Sequence, residues 1–405
     1  MKKLKTNSAE MNDARREVLK LFGGASALSS MLHAFAEPSF AEAAALPLPA
    51  QESMNAAEKD AETVIWEARQ SQRPPISVDV HCHWSPPTYN NLLKEDAGRG
   101  GTTRTLAAEL ANNIKWMDER SVQTCIWTLG GGKPWHWLSP SEAARAVTLI
   151  NDAGIEAHKM YPDRMYLGAE IPAFDPDLSL KEVNRLAGNP AVKGLALPTS
   201  MIHKDYVFQP AFEPVLARCA ELGLPLLFHP LDGEVHEYGG TQSRIGQPLT
   251  EDTFIYNTLG FPWDTATVGS LFIVTGLLDK YPKLQVVLPH AGGVFPYVAG
   301  RVQHGIERRK FPLKRPFRDY FKQQFWFDTM TYYPETMRFM IDLVGYDRVL
   351  VGTDSSYNAS ALDHSGTGGR QGRYEWPNTL VEMMKLPKDQ EEAILRQNAV
   401  KLFKL

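Results

Sequence analysis

The amino-acid sequence predicts an α/β fold, specifically a (β/α)8 TIM barrel, and two observations carry this prediction. First, eight short apolar segments alternate with segments of helical periodicity from residue 76 onward. Second, side chains that can bind metals stand at the ends of four of those apolar segments. An open, doubly wound sheet is the alternative, but no glycine-rich phosphate motif follows the first segment.

Turn signals and periodicity place the individual elements. The runs ELGLPLLF, KYPKLQVVL and GYDRVLVG each join the end of a helical segment to the start of a strand. Strands are predicted at residues 76–83, 122–129, 165–171, 192–198, 225–229, 285–290, 325–329 and 348–354. Helices are predicted between them at residues 106–119, 141–160, 180–188, 212–222, 265–280 and 334–344.

Residues 1–45 have the composition of an export signal. The pair Arg15-Arg16 precedes an apolar run over residues 21–35, and the small residues of AEAAA then suit cleavage. This predicts a twin-arginine signal peptide and a periplasmic location, with a chance arginine pair in an amphipathic leader as the alternative. The apolar run is too short and too rich in glycine and serine for a membrane span.

Residues 46–75 are predicted to be a linker with one helix, at residues 56–70. RPP at 73–75 breaks that helix just before the first strand of the barrel. The barrel domain is therefore assigned to residues 76–405.

The composition of the chain argues for a large hydrophobic core and against two kinds of binding site. Hydrophobic residues make up 43% of the 405 positions, which allows a large core. The formal net charge is −4 and no basic stripe occurs, which argues against nucleic-acid binding. The three cysteines include no CxxC pair, so neither a disulfide framework nor a cysteine zinc site is indicated. Cys82 and Cys125 lie in predicted strands, where buried free thiols are expected.

The first predicted strand ends in VDVHCHW, which carries two histidines one residue apart. Side chains alternate faces along a strand, so His81 and His83 point to one side and Cys82 to the other. Two imidazoles on one face can hold one cation.

Three further metal-binding side chains stand at strand ends. His229 ends the fifth strand, His290 the sixth and Asp354 the eighth. The carboxyl ends of the strands form the active-site face of a barrel, so these residues should meet His81 and His83 there. Three imidazoles and a carboxylate suit Zn²⁺, with Mn²⁺, Fe²⁺ or Co²⁺ possible.

His290 is interpreted as the base of this site. It lies in VVLPHAGG, where Gly292 and Gly293 let backbone approach a ligand closely. A histidine beside a metal-bound water can take its proton, and the metal lowers the pKa of that water to about 7. One metal is expected, because Lys193 stands at the start of the fourth strand and a lysine bridging two metals would stand at its end.

The motifs together resemble a known superfamily. HxH on the first strand, a lone histidine after LPLLF, PHAGG on the sixth strand and GTD on the eighth are similar to amidohydrolases. The resemblance implies a TIM barrel of the metal-dependent hydrolase type. Residues 257–305 resemble the branch typified by 2-amino-3-carboxymuconate 6-semialdehyde decarboxylase, which also includes aromatic-acid decarboxylases, hydratases and some hydrolases. The similarity covers about residues 76–400 and is specific to the branch rather than to one reaction.

The resemblance also implies roles for individual residues. His81, His83, His229 and Asp354 would be the metal ligands, and His290 would activate the metal-bound water. Two arginines would bind substrate.

Arg301 matches an arginine that reaches the substrate carboxylate of a neighbouring subunit, which implies a homodimer. A surface arginine on the helix after strand six is its alternative. Arg104 is a candidate for a second carboxylate contact. The sequence departs from the branch in reading HAGG where HGGG is frequent, and GTDSS where GTDYP or GTDFP is frequent. These changes keep the ligands and the base and leave the shape of the substrate pocket open.

Three functions are weighed. The first is a metal-dependent decarboxylase of a small unsaturated or aromatic carboxylic acid. The second is a hydrolase of an ester, lactone or amide at the same site. An inactive binding barrel is the third, and the intact five-residue set argues against it. The segment GGGKPWHWLSP, residues 130–140, is either an aromatic lid over a planar substrate or a packed loop.

Overall fold

The computed structural model describes residues 76–130, 132–201, 205–231, 256–356 and 379–405. The predicted signal peptide at residues 1–45 and the linker and helix within residues 46–75 lie outside these ranges and stay predictions. Within the described ranges, no helix combines the length and the apolar character needed to cross a membrane.

The strands of the described residues form one parallel sheet with the spatial order β8-β7-β6-β5-β4-β3-β2-β1-β9. Val351, directly after β8, forms a parallel bridge with Asp79 of β1, and this bridge closes the sheet into a barrel. The predicted fold class is confirmed, and the open-sheet alternative is wrong. The strands are β1 Ser77–His83, β2 Val122–Thr128, β3 Met165–Ala169, β4 Val192–Pro198, β5 Leu226–His229, β6 Val286–Leu288, β7 Phe325–Asp328, β8 Val349–Leu350 and β9 Ser355–Ser356.

Helices lie between the strands, and their ends follow local sequence. The Thr105 hydroxyl caps α2 by accepting the backbone N–H of Ala108, and Ser139 and Glu142 form a capping box on α3. The helices are α1 Pro87–Ala97, α2 Leu106–Glu119, α3 Pro140–Met160, α4 Pro176–Leu186, α5 Glu213–Leu222, α6 Phe261–Val274, α7 Leu277–Lys280, α8 Phe295–Arg309, α9 Phe317–Gln323, α10 Pro334–Val344, α11 Thr379–Met383, α12 Lys388–Glu392 and α13 Asn398–Phe403.

One predicted helix is two helices in the structure. The periodicity over residues 265–280 predicts a single element, but α6 and α7 are separated at Gly276. Gly276 has a φ of 74°, a left-handed conformation that ends a helix and that glycine adopts without steric cost.

The core has an inner and an outer layer. Val78, Val80 and Val287 belong to the cluster that fills the barrel, together with Leu402 and Phe403 of α13. A larger cluster fills the space between the strands and the surrounding helices. The strands are therefore buried on both faces, as parallel barrel strands require.

A β-bulge in β1 sets which side chains enter the barrel. The pairing of β1 with β2 shifts register between Asp79 and Cys82. In a regular strand, the side chains of Val80 and His81 would point to opposite faces of the sheet. Here both line the same internal cavity, because the bulge adds a residue to the strand. Cys82 packs in the outer layer, as predicted.

The three cysteines are free and fully buried. Burial raises the pKa of the Cys219 thiol to about 12, so almost no thiolate forms at neutral pH. We expect no thiol of the folded protein to react rapidly with Ellman's reagent at pH 8, and all three to react in guanidinium chloride. Rapid stoichiometric labelling of the folded protein would contradict the burial of these residues.

Candidate metal centre

Four of the predicted site residues come together at the carboxyl ends of the strands. One ligand atom from each of His81, His83, His229 and Asp354 lies within 4.8 Å of the others. The three Nε2 atoms lie 3.1, 2.9 and 3.6 Å from Oδ1 of Asp354, in the order His81, His83, His229. These four side chains form a group that could hold a metal ion.

The closing of the barrel brings the carboxylate to the histidines. The backbone N–H groups of Thr353 and Asp354 donate to the carbonyl of His81, at 3.1 and 2.7 Å. Asp354 has a φ of 54°, so the chain leaves the strand direction at that residue. Aspartate tolerates this left-handed conformation better than most residues do.

The other ring nitrogens of the three histidines are held by protein atoms. Nδ1 of His81 lies 2.5 Å from the Asp328 carboxylate, and Nδ1 of His229 lies 2.7 Å from the carbonyl of Pro230. Both partners only accept, so Nδ1 carries the proton and Nε2 of a neutral ring keeps its lone pair. Nδ1 of His83 lies 3.2 Å from the Thr128 hydroxyl. Such contacts orient metal-binding histidines.

Two of the inward-facing nitrogens fit a cation. Nε2 of His81 and Nε2 of His229 are buried and have no hydrogen-bond partner among the described residues. Oδ1 of Asp354 is 3.1 Å from Nε2 of His81 and 3.6 Å from Nε2 of His229, which is near enough for an ion pair, but neither contact is a hydrogen bond. Since a buried ring nitrogen without a partner is costly, the donor set suits a divalent ion at this point.

Asp328 belongs to the site, although it is not among the residues predicted from the sequence. It is fully buried at the end of β7. Besides holding His81, its carboxylate accepts the backbone N–H groups of His290 and Ala291, at 3.0 and 2.6 Å. A carboxylate at the end of the strand FWFD meets the same criterion that selected Asp354. That signal would have found it.

His290 lies beside the four-residue group. Its Nε2 is 3.5 Å from Oδ2 of Asp354, and its ring centroid is 5.0 Å from that of His81. Nδ1 of His290 is buried without a hydrogen-bond partner in the described part of the chain. The side chain is therefore close to the ligand carboxylate and is not tied to another acceptor.

The protein's own charges at the site are unevenly distributed. Burial lowers the pKa of His81, but the carboxylates of Asp354 and Asp328 outweigh burial and raise it to about 10. Burial, helped by the charge of His83, lowers the pKa of His229 to about 3. Burial also raises the pKa of Asp354, but the neighbouring histidines hold it well below its usual value. The charges around the site therefore favour a proton on His81 and disfavour one on His229.

A comparison with known protein families shows which family the chain belongs to. A family model described as Amidohydrolase matches residues 78–405. The chain belongs to the amidohydrolase family. The predicted superfamily is thus confirmed, and the match contains every residue of the site described above.

Relatives of this amidohydrolase include named decarboxylases. The γ-resorcylate decarboxylase of Rhizobium sp. (strain MTP-10005) is 26% identical over 312 residues, which are 72% of this chain and 86% of that protein. The 2-amino-3-carboxymuconate-6-semialdehyde decarboxylase of Dictyostelium discoideum is 23% identical over 357 residues, 82% of this chain and 92% of that protein.

A solved structure has the same fold. It is a dihydroxybenzoic acid decarboxylase from Polaromonas sp. JS666 with bound manganese and the inhibitor 2-nitroresorcinol. The TM-score is 0.61 at 22% identity, and the match covers 82% of this chain and 97% of that one.

The two predicted substrate arginines lie on an exposed helix face and before a helix. Arg301 is exposed on α8, and Arg104 is half-buried before α2, near Glu109. Neither is among the described residues that line the cavity shared by His81 and His229. Lys193 donates to the carbonyl of Lys404 and does not line that cavity. The roles of the arginines stay predictions.

The loop after β2 is packed rather than open. Trp135 and His136 are only 3% and 4% exposed. Trp137 is half-buried, with the Arg99 guanidinium 5.1 Å from its ring centroid. The packed-loop alternative therefore describes Trp135 and His136.

Proposed function

We propose that this amidohydrolase is a metal-dependent decarboxylase that releases CO₂ from a small aromatic or unsaturated carboxylic acid. One observation carries the proposal: three imidazole Nε2 atoms converge on the Asp354 carboxylate, beside a histidine that is not part of the set. The named relatives support the decarboxylase class and do not favour the hydrolase alternative.

His81, His83, His229 and Asp354 would hold one divalent ion. Imidazole and carboxylate donors suit Zn²⁺, Mn²⁺, Fe²⁺ or Co²⁺. Manganese is the first ion to test because the Polaromonas enzyme binds it. When bound, the ion supplies positive charge that orients the substrate and stabilises negative charge during the reaction.

The proton needed by the reaction is assigned to His290. When the carbon–carbon bond to the carboxylate breaks, CO₂ leaves and the electron pair stays on the substrate carbon, which must then take a proton. His290 would deliver that proton from Nε2, the ring nitrogen that faces Asp354. Asp328 would keep the turn of His290 in place through its two backbone hydrogen bonds.

The test is CO₂ release by full-length protein loaded with manganese. Substrates to compare are 2,6-dihydroxybenzoate, 2-hydroxybenzoate and 2-amino-3-carboxymuconate semialdehyde, with lactones and amides as the hydrolase panel. We expect CO₂ from at least one acid, its loss after dialysis against a chelator, and its return with Mn²⁺. Turnover of a lactone or amide without CO₂ from any acid would reject the decarboxylase in favour of the hydrolase.

Location and assembly are also proposed on the basis of the sequence. Arg15-Arg16 supports export by the twin-arginine route to the periplasm. The position of Arg301 on an exposed helix face supports a homodimer in which it reaches the substrate of the neighbouring subunit.

A further inference from the structure

A buried ion pair lies on the same face of the barrel as the metal centre, and the reaction described above does not use it. Lys133 follows β2 and Glu170 follows β3, and their side chains are 2% and 1% exposed. Nζ of Lys133 lies 2.9 and 2.8 Å from the two carboxylate oxygens of Glu170. Removing two charges from water costs free energy that a hydrophobic pair would not cost, so a buried ion pair is weak evidence of a role in stability alone.

The pair holds the loop that lies against one candidate ligand. Oε1 of Glu170 accepts the backbone N–H of Leu129 at 3.0 Å, and Lys133 donates to the carbonyl of Leu129 at 3.3 Å. Two points of the loop are thereby tied to one carboxylate. At Gly130, a Cβ atom would lie 2.7 Å from Cβ of His83, so the loop packs directly on that histidine.

The positive end of the pair lines a cavity that two of the four candidate ligands also line. Lys133 lines a cavity inside the barrel together with His81 and His229, whereas Glu170 is absent from the described lining residues. In that described lining, Lys133 is the only lysine or arginine, Asp328, which is paired with His81, is the only carboxylate, and most of the other side chains are apolar. A charge acts more strongly in such surroundings than in water.

Lys133 acts through its charge rather than through a free hydrogen bond. Its ammonium protons are directed at the Glu170 carboxylate and the carbonyl of Leu129. The ammonium therefore cannot swing toward a ligand without breaking the pair. Its position relative to His81 and His229 is set before any ligand binds.

We propose that Lys133 determines the specificity of the metal centre for anionic ligands. The ammonium, locked by Glu170, favours a carboxylate or phenolate at the centre over a neutral group of the same shape. This inference rests on the proposed function and deepens it, because charge recognition is assigned to a residue of the same subunit. It needs no contribution from Arg301 of a second copy.

The test compares 2-hydroxybenzoate with 2-hydroxybenzamide, a neutral isostere, by calorimetric titration of manganese-loaded full-length protein at pH 7. The variant Lys133→Met with Glu170→Gln removes both charges and leaves neither one buried alone. We expect it to bind 2-hydroxybenzoate about tenfold more weakly than the wild type, with 2-hydroxybenzamide changed by less than about twofold. Equal weakening of both ligands, or no change in either, would overturn the proposal.

The chain offers a matched control. Lys159 and Glu156 form an exposed ion pair on α3, with Nζ 3.1 Å from Oε2. Lys159→Met with Glu156→Gln makes the same chemical change away from the site and is expected to bind both ligands like the wild type.

A charge-conserving variant covers the case in which the double variant folds poorly or loses manganese. Lys133→Arg keeps the positive charge and should keep the preference for the anion, whereas loss of that preference at full manganese content would reject the role of charge. Because binding is read without turnover, the two proposals fail separately. Absence of CO₂ release with intact discrimination rejects the decarboxylase alone, and CO₂ release without discrimination rejects the role of Lys133 alone.

Discussion

Replacing His290 with asparagine is expected to lower kcat by about 10²–10⁴-fold while the protein keeps its metal. His290 lies outside the four-residue group, and its Nε2 is 3.5 Å from Oδ2 of Asp354. Asparagine tolerates the φ of 54° at this position, so the turn is retained, but an amide cannot transfer a proton at neutral pH. Initial rates of CO₂ release and elemental analysis of the same sample measure the two effects.

The control for His290 is His304→Asn, on the exposed face of α8. It makes the same substitution away from the site and should leave kcat unchanged. A His290→Asn protein with nearly normal turnover would remove the proton-transfer role. One that loses its metal would instead make His290 a ligand.

Asp354→Asn is expected to weaken metal binding by more than about 100-fold and to abolish turnover. Three imidazole nitrogens converge on Oδ1 of this carboxylate, so it is the anionic member of the set. Asparagine again suits the left-handed backbone, with a φ of 54°, so the loss reports the charge rather than the fold. Competition with a chromogenic chelator measures the affinity.

Asp342→Asn is the matched control, because Asp342 is exposed on α10. Its metal affinity and turnover should equal those of the wild type. Full metal content in Asp354→Asn protein would contradict the proposed ligand set, whatever the effect on turnover.

The barrel could be predicted because its strands and helices have different periods. Apolar runs bounded by turn residues recur eight times, and the structure has a strand at each predicted position. The boundaries of β6 and β8 were less predictable. Residues 285–290 and 348–354 were expected to be strands, but β6 ends at Leu288 and β8 at Leu350. His290 and Asp354 both have a φ of 54°, and left-handed backbone is not visible in a pattern of apolar residues.

The sequence was also sufficient to select the residues that meet at the centre. Strand alternation places His81 and His83 on one side of β1, and the rule that barrel sites lie at the carboxyl ends of strands adds His229, His290 and Asp354. Both rules are local or topological, so they need no knowledge of packing.

The surroundings of those residues are set by the tertiary structure of the closed barrel. Asp328 contacts His81 across 247 positions of the chain, and Lys133 pairs with Glu170 across 37. An aspartate, glutamate or lysine at a strand end has the same sequence pattern in three different roles. It can bind a ligand, orient a histidine or pair with another charge. The choice depends on which strands become neighbours and on the bulge in β1, which are set by long-range packing rather than by local pattern.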